Sequence, residues 1–258
     1  MEYEGFKKEI LKMSDINLSL YKEKQMKRRI DSLIRKNGYE NYKEYVQALK
    51  QDSNQYNEFI NYLTINVSEF YRNPEQWEVL RDQIIPMLLQ RSPVLKVWST
   101  ACSTGDEPYT LAMVLSEHMP LNRIKILATD IDVEALKKAR TGVYSAKSLE
   151  KLPEKYIRSF FTTDGNLYHV KDELKQCVDF RHINLLKDPY PGNCDLIVCR
   201  NVLIYFTEEA KSQMYAKFNK ALKDRGVLFI GSTEQIIMSA RYKLTPIKTF
   251  FYIKDGDI

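Results

Sequence analysis

The 258-residue chain is sparing with the residues that mark specialised scaffolds: it has nine glycines, nine prolines, four cysteines, three histidines and two tryptophans. So few glycines exclude a collagen-like repeat, and a composition of 44% hydrophobic and 28% charged residues excludes a disordered or disulfide-dense chain. The cysteines (Cys102, Cys177, Cys194, Cys199) form no C-x-x-C pair, and His118, His169 and His182 are scattered. No zinc-like spacing results, and no metal is expected. Four reduced thiols fit a reducing cytoplasm. Long apolar runs are missing too: the densest, Ile84 to Leu89, contains Pro86 and falls far short of the ~20 residues of a spanning helix. The acidic start Met1-Glu2-Tyr3-Glu4 leads into no signal-like apolar region, so a cytoplasmic protein not inserted in a membrane is expected. Charge imbalance is small: a formal +5 permits an acidic partner without requiring one.

What is present is a change of texture along the chain. Residues 1 to about 72 read as helical, with Leu18, Tyr21, Met26, Ile30, Leu33 and Ile34 near helical spacing and Asn37-Gly38 as a stop. Tyr42, Tyr45, Val46 and Leu49 predict a further helix, and Phe59, Ile60 and Leu63 another. Asn73-Pro74 starts a helix through Trp77, Leu80, Ile84 and Ile85. Beyond Pro93, short apolar runs at residues 94–98, 124–128, 178–180, 194–199, 226–230 and 249–253 alternate with helical patterns. That alternation predicts an α/β fold with a doubly wound parallel sheet. The last two runs are too close for a crossover helix, which predicts an antiparallel pair at the sheet edge. Phe160–Thr163 and Leu167–Val170 around Asp164-Gly165-Asn166 read as a hairpin, a small β insertion.

Open α/β sheets bind ligands outside the carboxyl ends of their strands. After the first strand comes Ser99-Thr100-Ala101-Cys102-Ser103-Thr104-Gly105-Asp106-Glu107, whose small residues allow close backbone approach. A single glycine makes this neither a G-x-G-x-x-G fingerprint nor a P-loop, and Asp106-Glu107 would repel phosphate while suiting a cationic amine. An ammonium-bearing nucleoside ligand is the reading. Asp130 ends the second strand, where an acidic residue takes ribose hydroxyls in dinucleotide folds; capping of the next helix is the competing role.

Trp98–Tyr109 resembles the first motif of CheR, the family of chemotaxis receptor methyltransferases. So do Ala128-Thr129-Asp130-Ile131-Asp132, Cys199-Arg200-Asn201-Val202-Leu203-Ile204-Tyr205-Phe206, Gly231-Ser232-Thr233-Glu234 and, ahead of them, Thr64–Arg72. The matches run in order over nearly the whole chain. The resemblance implies an S-adenosylmethionine-dependent protein-glutamate O-methyltransferase, releasing S-adenosylhomocysteine. Its fold would be a helical N-terminal docking domain (1–72), a linker helix (73–92) and a class I methyltransferase sheet (93–258) with a β-subdomain at about 155–177. It places Asn66, Ser68 and Arg72 toward the cofactor, Glu107 by the methionine amine, Asp130 by the ribose and Asn184-Leu185 beside the adenine. Cys199, Arg200 and Asn201 would line the methionine portion, and Arg72 and Tyr205 would lie nearest the methyl group as the catalytic pair. Without the resemblance, Phe70-Tyr71 and Tyr205-Phe206 read as core aromatics and Arg200 as a surface or ion-paired arginine.

The same resemblance makes the cytoplasmic helical region of chemotaxis receptors the partner. Lys22–Arg29 holds five basic residues and one acidic one, and Lys24, Lys27, Arg28 and Arg29 are the expected docking side chains; a solvated helix face is the plainer reading. Family members that tether to a receptor C-terminal peptide carry a longer loop in the β-subdomain, so the short turn here implies no dependence on such a tether. A nucleic-acid methyltransferase is disfavoured, because no proline pair follows Asn201 and no aromatics interleave the basic run. A non-catalytic cofactor sensor is the third class. Residues 1–80 hold 13 basic and 13 acidic residues, so any docking charge is local.

Overall fold

The structure, a computed structural model, describes residues 1–256 and divides into two compact units: Met1–Asn66 with Leu203–Gln213, and Val67–Val202 with the chain from Met214 onward.

The first unit holds α1 (Tyr3–Ser14), α2 (Glu23–Lys36), α3 (Tyr42–Gln51) and α4 (Ser53–Thr64). Each helix buries one stripe. Phe6 and Ile10 do so from α1, Met26, Ile30 and Leu33 from α2, Tyr45 from α3, and Phe59 and Leu63 from α4. Side-chain caps fix two of the starts: Asn41 accepts from the amides of Lys43 and Glu44, and Asp52 from those of Asn54 and Gln55. Leu203–Gln213 belongs here through backbone bonds, since Lys22 donates to Tyr205 O at 2.9 Å and Thr207 to Leu20 O at 2.9 Å. The Tyr21 and Phe206 rings lie 4.9 Å apart.

The second unit opens with α5 (Pro74–Val79), a π turn (Leu80–Ile84) and α6 (Ile85–Leu89). Pro86 has no N–H to give the preceding turn and its ring crowds the carbonyl four residues back, which accounts for the wide turn before it. The helix expected as a linker buries Trp77, Leu80, Ile84, Ile85 and Leu88 in this unit's core.

The remaining elements are β1 (Lys96–Ser99), α7 (Asp106–Leu115), β2 (Lys125–Asp130), α8 (Val133–Thr141), β3 (Val143–Ser145), α9 (Glu154–Phe160), β4 (Phe161–Asp164), β5 (Leu167–Val170), α10 (Asp172–Lys175), β6 (Val178–His182), β7 (Cys194–Cys199), α11 (Glu208–Ala221), β8 (Leu222–Ile230), β9 (Leu244–Lys248) and β10 (Phe251–Lys254).

The main sheet runs β6-β2-β1-β7-β8-β10-β9. Its first five strands are parallel, and β10 pairs antiparallel to β8, as expected. Central β7 is buried along its whole length, which is why it reads as one apolar run. Edge strand β9 escaped the sequence pattern because Pro246 interrupts it; a proline is tolerated there because an edge has N–H positions without ladder partners. The small sheet, β3-β5-β4, begins at Val143, upstream of the expected insertion; three-residue β3 is too short to give a period.

Candidate active site

Strands β1 and β2 end side by side; of the carboxylates expected there, Asp130 is buried and Glu107 partly buried. Gly105, at φ +94°, caps the N-terminus of α7; a Cβ on it would fall 2.9 Å from Tyr144 Oη and 3.0 Å from Ala139 Cβ, so only glycine fits. Glu107, in the first turn of α7, accepts from Ser99 Oγ at 2.8 Å. Asp130 is 7% exposed and accepts from the amide of Ser103 at 2.7 Å and that of Asp132 at 2.9 Å. Helix α8 is capped by Asp132, whose Oδ1 takes the amides of Glu134 and Ala135, which leaves Asp130 for another role. Burial pushes the Asp130 carboxyl up to about 6, against the pull of its backbone donors. Burial likewise raises Glu107, opposed first by Arg200. Asp106 is also raised by burial, with Thr104 and Ser68 hydroxyls opposing.

Arg200, just past β7, has its side chain turned into the core. Its guanidinium lies 5.1 Å from the Trp77 ring and 4.9 Å from that of Phe229. It donates to Arg72 O at 2.7 Å and to Asn73 Oδ1 and Gln76 Oε1 at 3.2 Å, and reaches Glu107 Oε2 at 3.7 Å. Arg200 therefore ties the Arg72 backbone to the Glu107 carboxylate. Arg72 itself is half-buried, with a guanidinium donating to Val67 O at 3.4 Å. Its neighbours Tyr71 (φ 54°) and Asn73 (φ 60°) are left-handed, as are Ile65, Ser103 and Asn201. The same conformation occurs away from these segments, at Asp15, Asn193, Arg225, Met238, Lys243 and Phe250.

Asn184 and Leu185 follow β6, whose register pairs His182 with Asp130. Both are buried; Asn184 Oδ1 accepts from Leu186, and Leu185 O accepts from Tyr190 Oη. Cys199 is fully buried. The second unit thus brings together Ser68, Arg72, Glu107, Asp130, Asn184, Leu185, Cys199, Arg200 and Asn201, whereas Asn66 and Tyr205 are residues of the first. Asn66 donates there to Asn61 and Thr64, and Tyr205 accepts from Lys22 through its carbonyl.

Of the docking residues, Lys24, Lys27 and Arg28 are exposed. Arg29 is half-buried, donating to Tyr62 O at 2.6 Å and stacking 4.6 Å from the Tyr62 ring, so it braces α2 against α4.

Two family models cover the chain: the CheR methyltransferase all-alpha domain over residues 1–64 and the CheR methyltransferase SAM binding domain over residues 66–251. The chain belongs to the CheR methyltransferase family. Relatives named chemotaxis protein methyltransferase include one from Listeria innocua, 46% identical over 98% of this chain and 97% of that protein. Others are from Borreliella burgdorferi, at 36% over 88% of each chain, and Escherichia coli, at 36% over 87% and 81%.

Several residues around these side chains carried no sequence signal of their own. Ser103 acts through its backbone, and Gln76 and Asn73 serve Arg200 from a helix start that reads only as a cap. Glu234 bonds the Asn201 backbone; its motif was visible, its role was not. No group of three or more His, Cys, Asp or Glu side chains among the described residues is arranged to hold a metal. No helix among them is long and apolar enough to cross a membrane.

Proposed function

We propose that this chain transfers the methyl group of S-adenosylmethionine to glutamate side chains of chemotaxis receptors, forming methyl esters. The observation that carries the reading is a pair of carboxylates in a CheR-family chain: buried Asp130 at the carboxyl end of β2, and partly buried Glu107 in the first turn of the helix that follows the adjacent parallel strand β1. The donor set fits the cofactor. A methionine end carries an ammonium for Glu107 and a carboxylate for Arg72, a ribose supplies hydroxyl donors for Asp130, and Asn184-Leu185 offer a buried flank for the adenine. When bound, S-adenosylmethionine supplies an electrophilic methyl group on a sulfonium.

The rest is done by side chains of the protein. A glutamate with pKa ~4.3 is ionised at neutral pH, so no general base is required and none is needed from the buried thiols. The task is orientation of the incoming carboxylate, for which Arg72 is the candidate in the second unit and Tyr205 in the first. A guanidinium fork that gripped too hard would stabilise the reactant, so its value lies in direction. Opposite charges are neutralised as the reaction proceeds, which a water-poor pocket favours. The test is transfer of tritiated methyl from the cofactor to receptor-containing membranes and, in parallel, to nucleic acid. Base-labile release of methanol from the membranes supports the ester; label in nucleic acid, or in neither, rejects it.

Docking is assigned to α2, with Lys24, Lys27 and Arg28 presented to an acidic helical surface of the receptor and Arg29 holding the helix in place. The two-residue turn of the small sheet, Gly165-Asn166 between β4 and β5, supports operation without a peptide tether. Tight calorimetric binding of an isolated receptor C-terminal pentapeptide would contradict that.

A further inference from the structure

Strands β7 and β8 run parallel as far as Cys199 opposite Ile230 and then separate. The next amide on β8, Gly231, and the amide of Asn201 would each lose a ladder partner at this point. Leaving buried backbone donors unpaired is costly. Both instead donate to one oxygen, Glu234 Oε2, each at 2.8 Å. Glu234 is 5% exposed, and the turn returning its carboxylate is closed by its own amide donating to Gly231 O at 3.0 Å. The fit is close. A Cβ on Gly231 would stand 2.7 Å from both Oε2 and the Asn201 amide nitrogen. Asn201 is held at φ +60°, a conformation that asparagine tolerates better than most residues but that still needs support. Its neighbour Arg200 is anchored from the other side on Arg72, Asn73 and Gln76.

We propose that Glu234 is a positioning residue: its carboxylate clamps the separating strand ends and thereby fixes the Cys199–Asn201 wall against the cofactor. This rests on the assignment of that wall to the cofactor site. The clamp works by acceptor geometry, so a neutral oxygen in the same place should serve.

Calorimetric titration of S-adenosylhomocysteine into wild type, Glu234→Ala, Glu234→Gln and Glu234→Asp tests it, below each variant's melting temperature. Amide hydrogen exchange is followed at residues 201 and 231. The expectation is that E234A binds about tenfold more weakly with faster exchange at those two amides, the scale expected when buried donors lose an acceptor. E234Q should stay within about threefold of wild type. A folded E234A with wild-type affinity overturns the proposal, as does an E234Q loss equal to that of E234A. If E234A does not fold, E234D decides: its carboxylate is withdrawn by one methylene, so weakened binding supports the clamp and unchanged binding overturns it. Failure of the wild type to bind S-adenosylhomocysteine would instead remove the cofactor assignment itself.

Discussion

Acidification should weaken cofactor binding through Asp130, and replacing that residue should abolish the effect. Burial holds its carboxyl at about 6, above the ~3.9 of an unfolded chain, despite two backbone N–H bonds at 2.7 and 2.9 Å. Ribose hydroxyls donate best to the ionised form. At pH 7.5 that form is roughly 97% populated and at pH 5.0 about 9%, so the dissociation constant of S-adenosylhomocysteine should rise about tenfold, or ~1.4 kcal/mol. The sign for the ligand-free protein is opposite. Its folded-state pKa is raised, so the native chain binds the proton more tightly than the unfolded chain between about pH 4 and 6. Asp130 therefore destabilises the ligand-free fold by about 3 kcal/mol at neutral pH, and that cost fades as pH falls through 6 toward 4. Glu107 and Asp106 are raised as well, so the raw slope is shared. The difference between wild type and Asp130→Asn isolates this residue. Calorimetry from pH 5.0 to 8.0 should show Asp130→Asn binding about tenfold more weakly at pH 7.5 and with a flatter profile. An Asp130→Asn profile parallel to wild type would show that the carboxylate does not meet the ribose.

Three further outcomes follow from the contacts. Gly231→Ala pushes a methyl group into the Asn201 amide and the Glu234 carboxylate, so unfolding in urea should show a loss of about 1–3 kcal/mol, with weaker S-adenosylhomocysteine binding. Arg200→Ala strands three oxygens and leaves Glu107 without its buried counter-charge, which should cost about 3–5 kcal/mol by the same measurement; a change under about 1 kcal/mol would contradict the network. Reversing Lys24 and Arg28 to glutamate should lower methylation of receptor membranes at low salt while leaving S-adenosylhomocysteine affinity and melting temperature unchanged. Unaltered methylation would remove α2 from the docking surface.

The fold was legible where period and punctuation agree. Buried β7 could only be an apolar run, Asn37-Gly38 and Asn73-Pro74 punctuate α2 and α5, and Asp-Gly marked the hairpin of the small sheet. What escaped were elements whose stability comes from neighbours, such as β9 with Pro246 at a sheet edge and β3 with three residues. The site divides along the same line. Glu107 and Asp130, carboxylates placed just after or at the end of predicted strands, announce themselves as candidates, with helix capping left open for Asp130 until Asp132 is seen to be the cap. Residues that act by geometry do not.

Arg200 shows the difference. The resemblance has it line the methionine portion, yet its guanidinium is spent on three oxygens, two rings and Glu107, all brought together from residues 72 to 229 by tertiary structure. The charge count behaves likewise. Five basic residues between Lys22 and Arg29 look like one surface, but Arg29 is drawn onto Tyr62 as a brace, so the face offered to a partner is smaller than the run implies. A basic segment sets the sign of a docking surface; which of its cations face outward is decided by the helix against which it packs.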